Sequence, residues 1–495
     1  MRRAAIASSL LSLAAAGLST GCPDRSIAEV NPQQGRVEYK DIPVNVNRKV
    51  DILFLIDDSP SMGDKQTNLA TNFPNFINVL AQIQGGLPDV HIGVTTSDLG
   101  SKGAADSAPG PGIGTVGQGG CSGLGKNGDL QVFGASSLLN TGSKFIADTI
   151  AADGVTRVRN YTDPMGDGSG LAPAFAQMAH AGAGGCGFEQ HLEAVKQALD
   201  PSHTANAGFI RDDAFLAVII IADEDDCSMA HSSLIAMSET PLGPLQSFRC
   251  TRYGVVCDQN GATTTTMNQV GTKSQCHPSS DTTYLTNATA YADSLKKLKA
   301  DPSKVIVAGI VGVPDPFAVE LRAPSGSTTP VPALAHSCTY VGNDGKPEVA
   351  DPPIRIKAFL DQFPNRSTFS TICQKDLSGG LQQIGDLLRT VIGDPCIEGK
   401  LADVDPNTAG LQYDCSVSSV LNPNTATQTE TVMPQCNPPD GTGATSVCWH
   451  LVADPTNCQK TDPTSPHLAL KIELQDSLPK DSHIIANCVT EVTNN

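Results

Sequence analysis

The sequence predicts an α/β fold: a doubly wound, mostly parallel sheet with long loop insertions, followed by a small, disulfide-rich β domain. Three short apolar runs, at 50–56, 214–222 and 305–313, are bounded by polar residues and have the length of strands covered on both faces. Amphipathic helical segments lie between these runs, and such alternation is typical of a parallel sheet. Beyond Cys396 the pattern changes to short alternating runs, turn-rich linkers and six cysteines, which indicates a separate β domain.

The first predicted strand, at 50–56, is followed by a helix and then by a second strand at 91–96. An apolar stripe with helical spacing indicates the helix, in which Pro74 predicts a kink. The stripe consists of Leu69, Phe73, Phe76, Leu80 and Ile83. A glycine-rich stretch near 99–128 then lacks any periodic pattern, so we expect a surface insertion there.

The second half of this domain repeats the alternation of helix and strand. An amphipathic helix at 188–199 precedes the second apolar run, and a helix around 287–299 precedes the third. A second insertion, near 228–285, lies between the second apolar run and the helix around 287–299. The last amphipathic helix has one apolar face, formed by Leu381, Ile384, Leu387, Leu388, Val391 and Ile392. Together these elements place the α/β domain at 49–395.

Fifteen cysteines bear on the compartment in which the chain folds. They form no paired knuckles of the zinc type, so disulfides are the better interpretation, and disulfides require an oxidising compartment. Apart from Cys22, a boundary at about 395 leaves eight cysteines before it and six after it. Both numbers are even, which favours complete pairing within the α/β domain and within a Cys-rich β domain at 396–495. Strands are predicted there at 468–474 and 484–489.

The N-terminus has the features of a bacterial export signal. Arg2 and Arg3 precede an apolar stretch at 4–18 that is too short to span a bilayer, so residues 1–21 are predicted to be a signal peptide. The sequence LSTGC that follows resembles a lipobox and predicts that Cys22 is the lipidated mature N-terminus. An ordinary secretory leader with cleavage nearby is the alternative.

Residues 22–48 are then expected to be a lipidated N-terminus and tether, with the lipid anchor in the cell envelope, at the outer membrane or surface rather than the inner membrane. The formal net charge of −18 repels phosphate backbones, so nucleic acid is not expected as a partner. Contact with the membrane is expected through the lipid anchor alone.

A D-x-S-x-S arrangement, DDSPS, stands directly after the first predicted strand. Open α/β sheets bind ligands at this edge, beyond the carboxyl ends of their strands. The side chains of Asp57, Ser59 and Ser61 offer oxygen ligands, which suit Mg²⁺, Mn²⁺ or Ca²⁺ better than zinc. A further carboxylate, Asp223, directly follows the strand at 214–222, although Asp225 competes for the same role.

Strand, D-x-S-x-S turn, helix and a later strand ending in aspartate together resemble the von Willebrand factor A family, with its Rossmann-type sheet and metal-ion-dependent adhesion site. The resemblance covers roughly 49–395 and implies a metal site formed by Asp57, Ser59, Ser61 and Asp223. In that family a threonine from a second loop also holds the ion, but here Ala183 stands at the expected position. The loss of one hydroxyl leaves a coordination place for water, unless Glu189 compensates.

The resemblance implies a divalent-metal-dependent protein-binding module for adhesion or interaction, in which an acidic side chain of the protein partner completes the coordination of the metal. It also implies that both insertions border the site, and that the protein is not an enzyme. One alternative is a structural scaffold with a degenerate metal site, consistent with Ala183. The other is an extracytoplasmic hydrolase using Ser59 or Ser61, for which no motif supplies a base, so no catalytic residue is assigned.

Overall fold

A computed structural model describes residues 36–43, 48–83, 86–153, 155–324, 326–393, 395–405, 407, 412–423, 427–455, 458, 467–479 and 482–491. The predicted signal peptide and the lipidation site Cys22 lie outside the described residues. Contacts divide the chain into two compact units. The large unit comprises Asp41–Cys396 and Pro455–Gln459, and the small unit comprises Met1–Lys40, Ile397–Asp454 and Lys460–Asn495.

The described residues contain the following elements. The strands are β1 (Arg36–Pro43), β2 (Lys49–Ile56), β3 (Asp89–Thr95), β4 (Ile146–Ile150), β5 (Arg157–Arg159), β6 (Phe215–Ile221), β7 (Val255–Gln259), β8 (Gly271–Pro278), β9 (Val305–Val311), β10 (Phe317–Arg322), β11 (Val331–Leu334), β12 (Cys338–Val341), β13 (Pro347–Ala350), β14 (Ser367–Thr371), β15 (Cys415–Leu421), β16 (Thr429–Val432), β17 (Cys448–Ala453), β18 (Leu468–Glu473) and β19 (Ser482–Thr490). The α-helices are α1 (Gly63–Ala81), α2 (Leu171–Ala179), α3 (His191–Ala198), α4 (Phe248–Gly254), α5 (Thr264–Met267), α6 (Ala288–Lys296), α7 (Ile354–Leu360) and α8 (Ser378–Gly393).

A seven-stranded, mostly parallel sheet forms the centre of the large unit, in the order β14-β9-β6-β2-β3-β4-β5. The first five strands in this order run parallel to their neighbours, and β4 and β5 add an antiparallel hairpin at one edge. The predicted α/β fold with a mostly parallel sheet is therefore confirmed. The three apolar runs become β2, β6 and β9, which are neighbours in the middle of the sheet.

Helices cover both faces of this sheet, as a doubly wound fold requires. Residues of α1, α2 and α8 share one apolar core with Ile52, Phe54 and Ile56 of β2. Residues of α3, α6 and α7 share a second core with Leu53 and Leu55 of the same strand. Because successive side chains of a strand point to opposite faces, both of which are covered here, β2 is apolar at every position from Ile52 to Ile56.

Several elements differ from the prediction. The edge strand β14, with the sequence STFST, is only half buried and has no apolar run to reveal it. The helix predicted at 188–199 begins at His191, and Phe188 is buried outside the helix. The second insertion is not a plain loop, because it contains α4, β7, α5 and β8, and β8 pairs with β10.

The small unit contains a four-stranded sheet in the order β1-β19-β15-β16, and β17 and β18 pair as a hairpin. The strands predicted at 468–474 and 484–489 are confirmed as β18 and β19. Strand β1 lies within the segment that is predicted to be a tether, 22–48. Its inward carboxylate, Glu38, accepts hydrogen bonds from the backbone N–H groups of Glu398 and Gly399, at 2.8 Å each, and these hold the segment in place.

Every cysteine after Cys22 is in a disulfide, so the predicted disulfides are confirmed. The pairs are Cys121–Cys186, Cys227–Cys250, Cys257–Cys276, Cys338–Cys373, Cys396–Cys458, Cys415–Cys488 and Cys436–Cys448. None of them crosses position 395. In the described part of the chain, no helix is both long enough and apolar enough to cross a membrane.

Candidate metal centre

The D-x-S-x-S turn leaves the sheet at the end of β2 and leads directly into α1. The backbone N–H of Asp57 donates to the carbonyl oxygen of Ile221 at 3.0 Å, which extends the pairing of β2 with β6 by one residue. The turn then closes with a hydrogen bond from Met62 N–H to the carbonyl oxygen of Ser59 at 3.2 Å. Asp57 and Asp223 therefore lie at the carboxyl ends of two adjacent parallel strands.

The structure brings the oxygen atoms of the four predicted residues together. Ser59 Oγ and Ser61 Oγ lie 3.1 Å apart, and Ser61 Oγ donates to Asp223 Oδ1 at 3.1 Å. One carboxylate oxygen each from Asp57, Asp223 and Glu224 lies within 4.8 Å of the other two. Two hydroxyls and three carboxylates form an all-oxygen set, which fits a hard divalent cation such as Mg²⁺, Mn²⁺ or Ca²⁺.

Glu224 was not among the predicted ligands. Its Oε1 lies 3.4 Å from Ser61 Oγ and its Oε2 lies 3.5 Å from Ser59 Oγ. The acidic run that begins at Asp223 was the available signal, but the sequence does not show which members of the run face the serines.

Asp225, the competitor for the role of Asp223, has a different contact. Its carboxylate accepts hydrogen bonds from the backbone N–H groups of Arg355 and Ile356, at 2.9 and 3.1 Å, at the start of α7. Burial raises the pKa of Asp225 to about 6. The geometry therefore separates Asp225 from the cluster and leaves Asp223 as the aspartate that faces the serines.

Asp57 is fully buried and is held by three donors. Its Oδ1 accepts hydrogen bonds from Ser59 N–H at 2.8 Å and from Ser97 Oγ at 3.0 Å, and its Oδ2 lies 3.4 Å from His191 Nε2. Burial alone would raise the pKa of Asp57, but the hydrogen bond and charge of His191 hold it below its ordinary value. Asp57 is thus kept as a carboxylate, the form that a metal ligand needs.

Two other buried acids have the opposite tendency. Burial, followed by the negative charge of neighbouring carboxylates, raises the pKa values of Glu189 and Glu224 well above their ordinary range. Such groups are stable in the interior only when they are protonated or when a cation lies beside them. The site therefore has more acidic groups than its own cationic side chains neutralise.

Lys65 in the first turns of α1 is the main internal cation. Its Nζ lies 3.0 Å from Asp223 Oδ2 and 2.8 Å from Glu348 Oε2, and it donates to the backbone carbonyl oxygen of Ser61 at 3.1 Å. Burial would lower the pKa of Lys65, but the negative charge of Asp223 and then Glu348 raises it. Lys65 is therefore charged and fixes the orientation of Asp223.

The loop predicted to supply a threonine lies beside the turn without contributing a hydroxyl. Gly185 N–H donates to the carbonyl oxygen of Asp58 at 2.7 Å, and Gln66 Nε2 donates to the carbonyl oxygen of Gly182 at 2.7 Å. The side chain of Ala183 is exposed. A carboxylate at the end of this loop, that of Glu189, lines the same cavity as the cluster residue Glu224.

Both insertions contact this edge of the sheet. The disulfide between Cys121 and Cys186 links the first insertion to the loop that contains Ala183. Near this disulfide, Gly187 N–H donates a hydrogen bond to the carbonyl oxygen of Gly119 at 2.9 Å. The second insertion is joined to the first through Asp106. The carboxylate of Asp106 lies 2.9 Å from His231 Nδ1 and accepts a hydrogen bond from the backbone N–H of Ser232 at 2.7 Å.

We predict that Asp106→Asn lowers the free energy of unfolding by about 1 kcal/mol near neutral pH, because it weakens hydrogen bonds to a charged acceptor. Burial would raise the pKa of Asp106, but the hydrogen bonds from His231 and Ser232 lower it to about 2. Because this pKa is below that of the unfolded chain, the stabilisation is present above about pH 4 and is lost as the pH falls toward 2. Urea unfolding at pH 6, 4 and 3 measures the difference between wild type and variant. A difference that stays constant over this range would contradict the prediction.

Fold and site together define a class: an α/β protein with an acidic, hydroxyl-containing candidate cation site at the carboxyl ends of two adjacent parallel strands. No protein-family model matches the chain, and no curated protein matches it.

Solved structures do show likeness to the chain. It is similar to a von Willebrand factor type A protein from Catenulispora acidiphila, at 10% identity and a TM-score of 0.25, over 94% of this chain and 68% of that one. It is also similar to the pilus adhesin SpaC from Lactobacillus rhamnosus GG, at 10% identity and a TM-score of 0.29, over 90% of this chain and 40% of that one. For the pilus adhesin RrgA from Streptococcus pneumoniae, the identity is 12% and the TM-score 0.21, over 92% of this chain and 58% of that one. Because identities and TM-scores are low, the function proposed below depends on the geometry of the site.

Proposed function

We propose that the protein is a protein-binding module of the von Willebrand factor A type, which binds one divalent cation and uses it to bind an acidic side chain of a protein partner. The observation that carries this proposal is the convergence of side-chain oxygen atoms at the end of β2 and β6. The ligands that we propose are Asp57, Ser59, Ser61, Asp223 and Glu224.

The charges around the cluster support a cation at this position. Buried carboxylates repel one another, and Lys65 and His191 neutralise only part of their charge. A divalent ion would supply the missing positive charge and would lower the raised pKa values of Glu189 and Glu224, so that both could be ionised. Glu224 adds one carboxylate to the set implied by the family, so a partner's carboxylate would compete with Glu224 for the cation.

The serines are better placed for metal binding than for nucleophilic catalysis. In the described residues, the hydroxyls of Ser59 and Ser61 contact each other and carboxylates, and the nearby histidine, His191, contacts Asp57 instead. A serine nucleophile of the Ser–His type needs an imidazole within hydrogen-bonding distance of its hydroxyl. We therefore propose a binding protein rather than a hydrolase.

The location that we propose is the cell envelope, with a lipid anchor at Cys22. Seven disulfides support an oxidising, extracytoplasmic compartment, because the bacterial cytosol keeps most thiols reduced. Mass spectrometry of the mature N-terminus would show diacylglycerol on Cys22 if the anchor exists. An unmodified N-terminus at another residue would disprove it.

Selection from a displayed library of random peptides tests the proposed function. Peptides bound to the purified protein in Mg²⁺ and released by EDTA are expected to be enriched in aspartate or glutamate, and replacing that residue with its amide is expected to abolish binding. Recovery of the same peptides in EDTA, without enrichment of acidic residues, would favour a structural scaffold with a degenerate site.

A further inference from the structure

A cavity of about 120 Å³ lies beside the candidate metal cluster, in the large unit. We propose that this cavity binds a guanidinium group, presented as an arginine side chain by the same protein partner that the metal binds. The part of this inference that concerns the partner rests on the proposed function. The chemistry of the cavity does not.

The cavity is lined by both acidic and apolar residues. The acidic residues include Glu189, Glu224 and Asp351, and the apolar residues include Phe248 of α4 and Pro332 of β11. A guanidinium is flat and weakly hydrated and can stack on apolar and aromatic faces while its N–H groups bind carboxylates, so it matches both kinds of surface.

Glu189 is the residue that points to a ligand. It lines the cavity although only 3% of its surface is exposed, and in the described residues no other residue supplies a hydrogen bond or an ion pair to its carboxylate. A buried carboxylate whose only donor is its own backbone N–H is costly, so native proteins rarely retain one unless a ligand satisfies it. A cation that enters the cavity would supply the missing partner.

Arg322 also lines the cavity but does not satisfy this requirement. Its guanidinium donates hydrogen bonds to the carbonyl oxygen of Leu334 at 2.6 Å and to Glu320 Oε1 at 2.8 Å. Its partners are therefore these two residues and not Glu189. Asp351 is already partnered, because its Oδ1 lies 2.7 Å from His336 Nδ1. Because Glu224 also contacts the hydroxyls of Ser59 and Ser61, the carboxylate in the cavity that still needs a partner is that of Glu189.

A second metal ion fits the cavity less well than an organic cation. Among the described residues, the only group of three carboxylate, imidazole or thiolate ligands within 4.8 Å of one another is Asp57, Asp223 and Glu224. The carboxylates of Glu189 and Asp351 are outside this group, so among the described residues they do not complete a second set of three converging ligands. An organic cation with several donors does not need ligands that converge on one point.

Binding of Nα-acetyl-arginine amide, measured by NMR titration in the presence of EDTA, tests this inference. The neutral citrulline analogue is the matched ligand control. We expect saturable binding of the arginine compound, with a dissociation constant below about 10 mM, and at least about tenfold weaker binding of the citrulline compound. The protein used is the soluble mature chain, and EDTA removes any contribution from a bound divalent ion.

Glu189→Gln is expected to weaken arginine binding about tenfold or more, whereas Glu239→Gln, at an exposed position, is expected to leave it unchanged. Thermal unfolding of both variants checks that they are folded, which we expect because the change at Glu189 removes a buried charge. Equal affinity for arginine and citrulline, or full affinity in Glu189→Gln, would overturn the inference. If the wild-type protein binds the divalent cation but not the arginine compound, this inference alone is refuted. If it binds the arginine compound but not the divalent cation, the metal site alone is refuted.

Discussion

Asp57→Asn is expected to lower the affinity for Mg²⁺ and Mn²⁺ by roughly a hundredfold or more, because it removes the one carboxylate of the cluster whose pKa is held low. The amide has the same shape and keeps an oxygen that can accept the hydrogen bonds from Ser59 N–H and Ser97 Oγ. The fold is therefore expected to persist while the charge of the ligand is lost. Isothermal titration of the mature protein with MnCl₂ measures the effect.

Asp225→Asn is the matched control for this experiment. Asp225 lies two residues beyond Asp223 but caps α7, and its carboxylate faces backbone N–H groups that an amide oxygen can also accept. We expect cation affinity within about twofold of wild type, since this side chain is not a proposed ligand. If Asp57→Asn and Asp225→Asn bind Mn²⁺ equally well, the proposed ligand set is wrong.

Lys65→Met is expected to destabilise the metal-free protein by about 3 to 5 kcal/mol, because it leaves the buried carboxylate of Asp223 and the partly buried carboxylate of Glu348 without their cation. Excess Mg²⁺ is expected to restore part of this loss, since an ion that binds the folded state alone shifts the unfolding equilibrium. The increase in unfolding free energy caused by Mg²⁺ should accordingly be larger in the variant than in wild type. Urea unfolding with EDTA and with Mg²⁺ gives both quantities.

Lys49→Met serves as the control for the loss of a lysine ion pair. Lys49 Nζ lies 2.6 Å from Asp213 Oδ2, but both side chains are largely exposed, so the expected change in unfolding free energy is below about 1 kcal/mol. The account would be contradicted if Lys65→Met were no more destabilising than Lys49→Met, or if Mg²⁺ stabilised Lys65→Met less than wild type.

The fold could be predicted where the burial of an element produces a recognisable apolar pattern in its own sequence. Strands β2, β6 and β9 are covered on both faces, so each contains at least five successive residues without a polar side chain, as expected of central strands. Strand β14 lies at the edge of the sheet and is half buried, so its polar sequence could not be distinguished from a loop. The small elements of the second insertion were missed because each is short and because the apolar core that contains Phe248, Val255 and Met267 is completed by residues of the distant strands β10 and β11.

The candidate site could be predicted to the extent that it is local. Asp57, Ser59 and Ser61 belong to one turn, and Asp223 ends a strand whose position beside β2 follows from the family resemblance. Glu224 could not be predicted, because whether a residue beyond a strand end faces the site depends on the path of the chain. Lys65 was missed as a charge of the site because its contacts are with residues distant in sequence, whereas Glu189 was considered only as a substitute for the missing threonine.

Anomalous diffraction from crystals of the mature protein grown with Mn²⁺ tests the central claim most directly. The account predicts one strong manganese peak at the end of β2 and β6, within about 2.0 to 2.6 Å of Ser59 Oγ and Ser61 Oγ, with a carboxylate oxygen of Asp223 or Glu224 beside it. A map without a peak at this position, from crystals that contain Mn²⁺ at millimolar concentration, would contradict it.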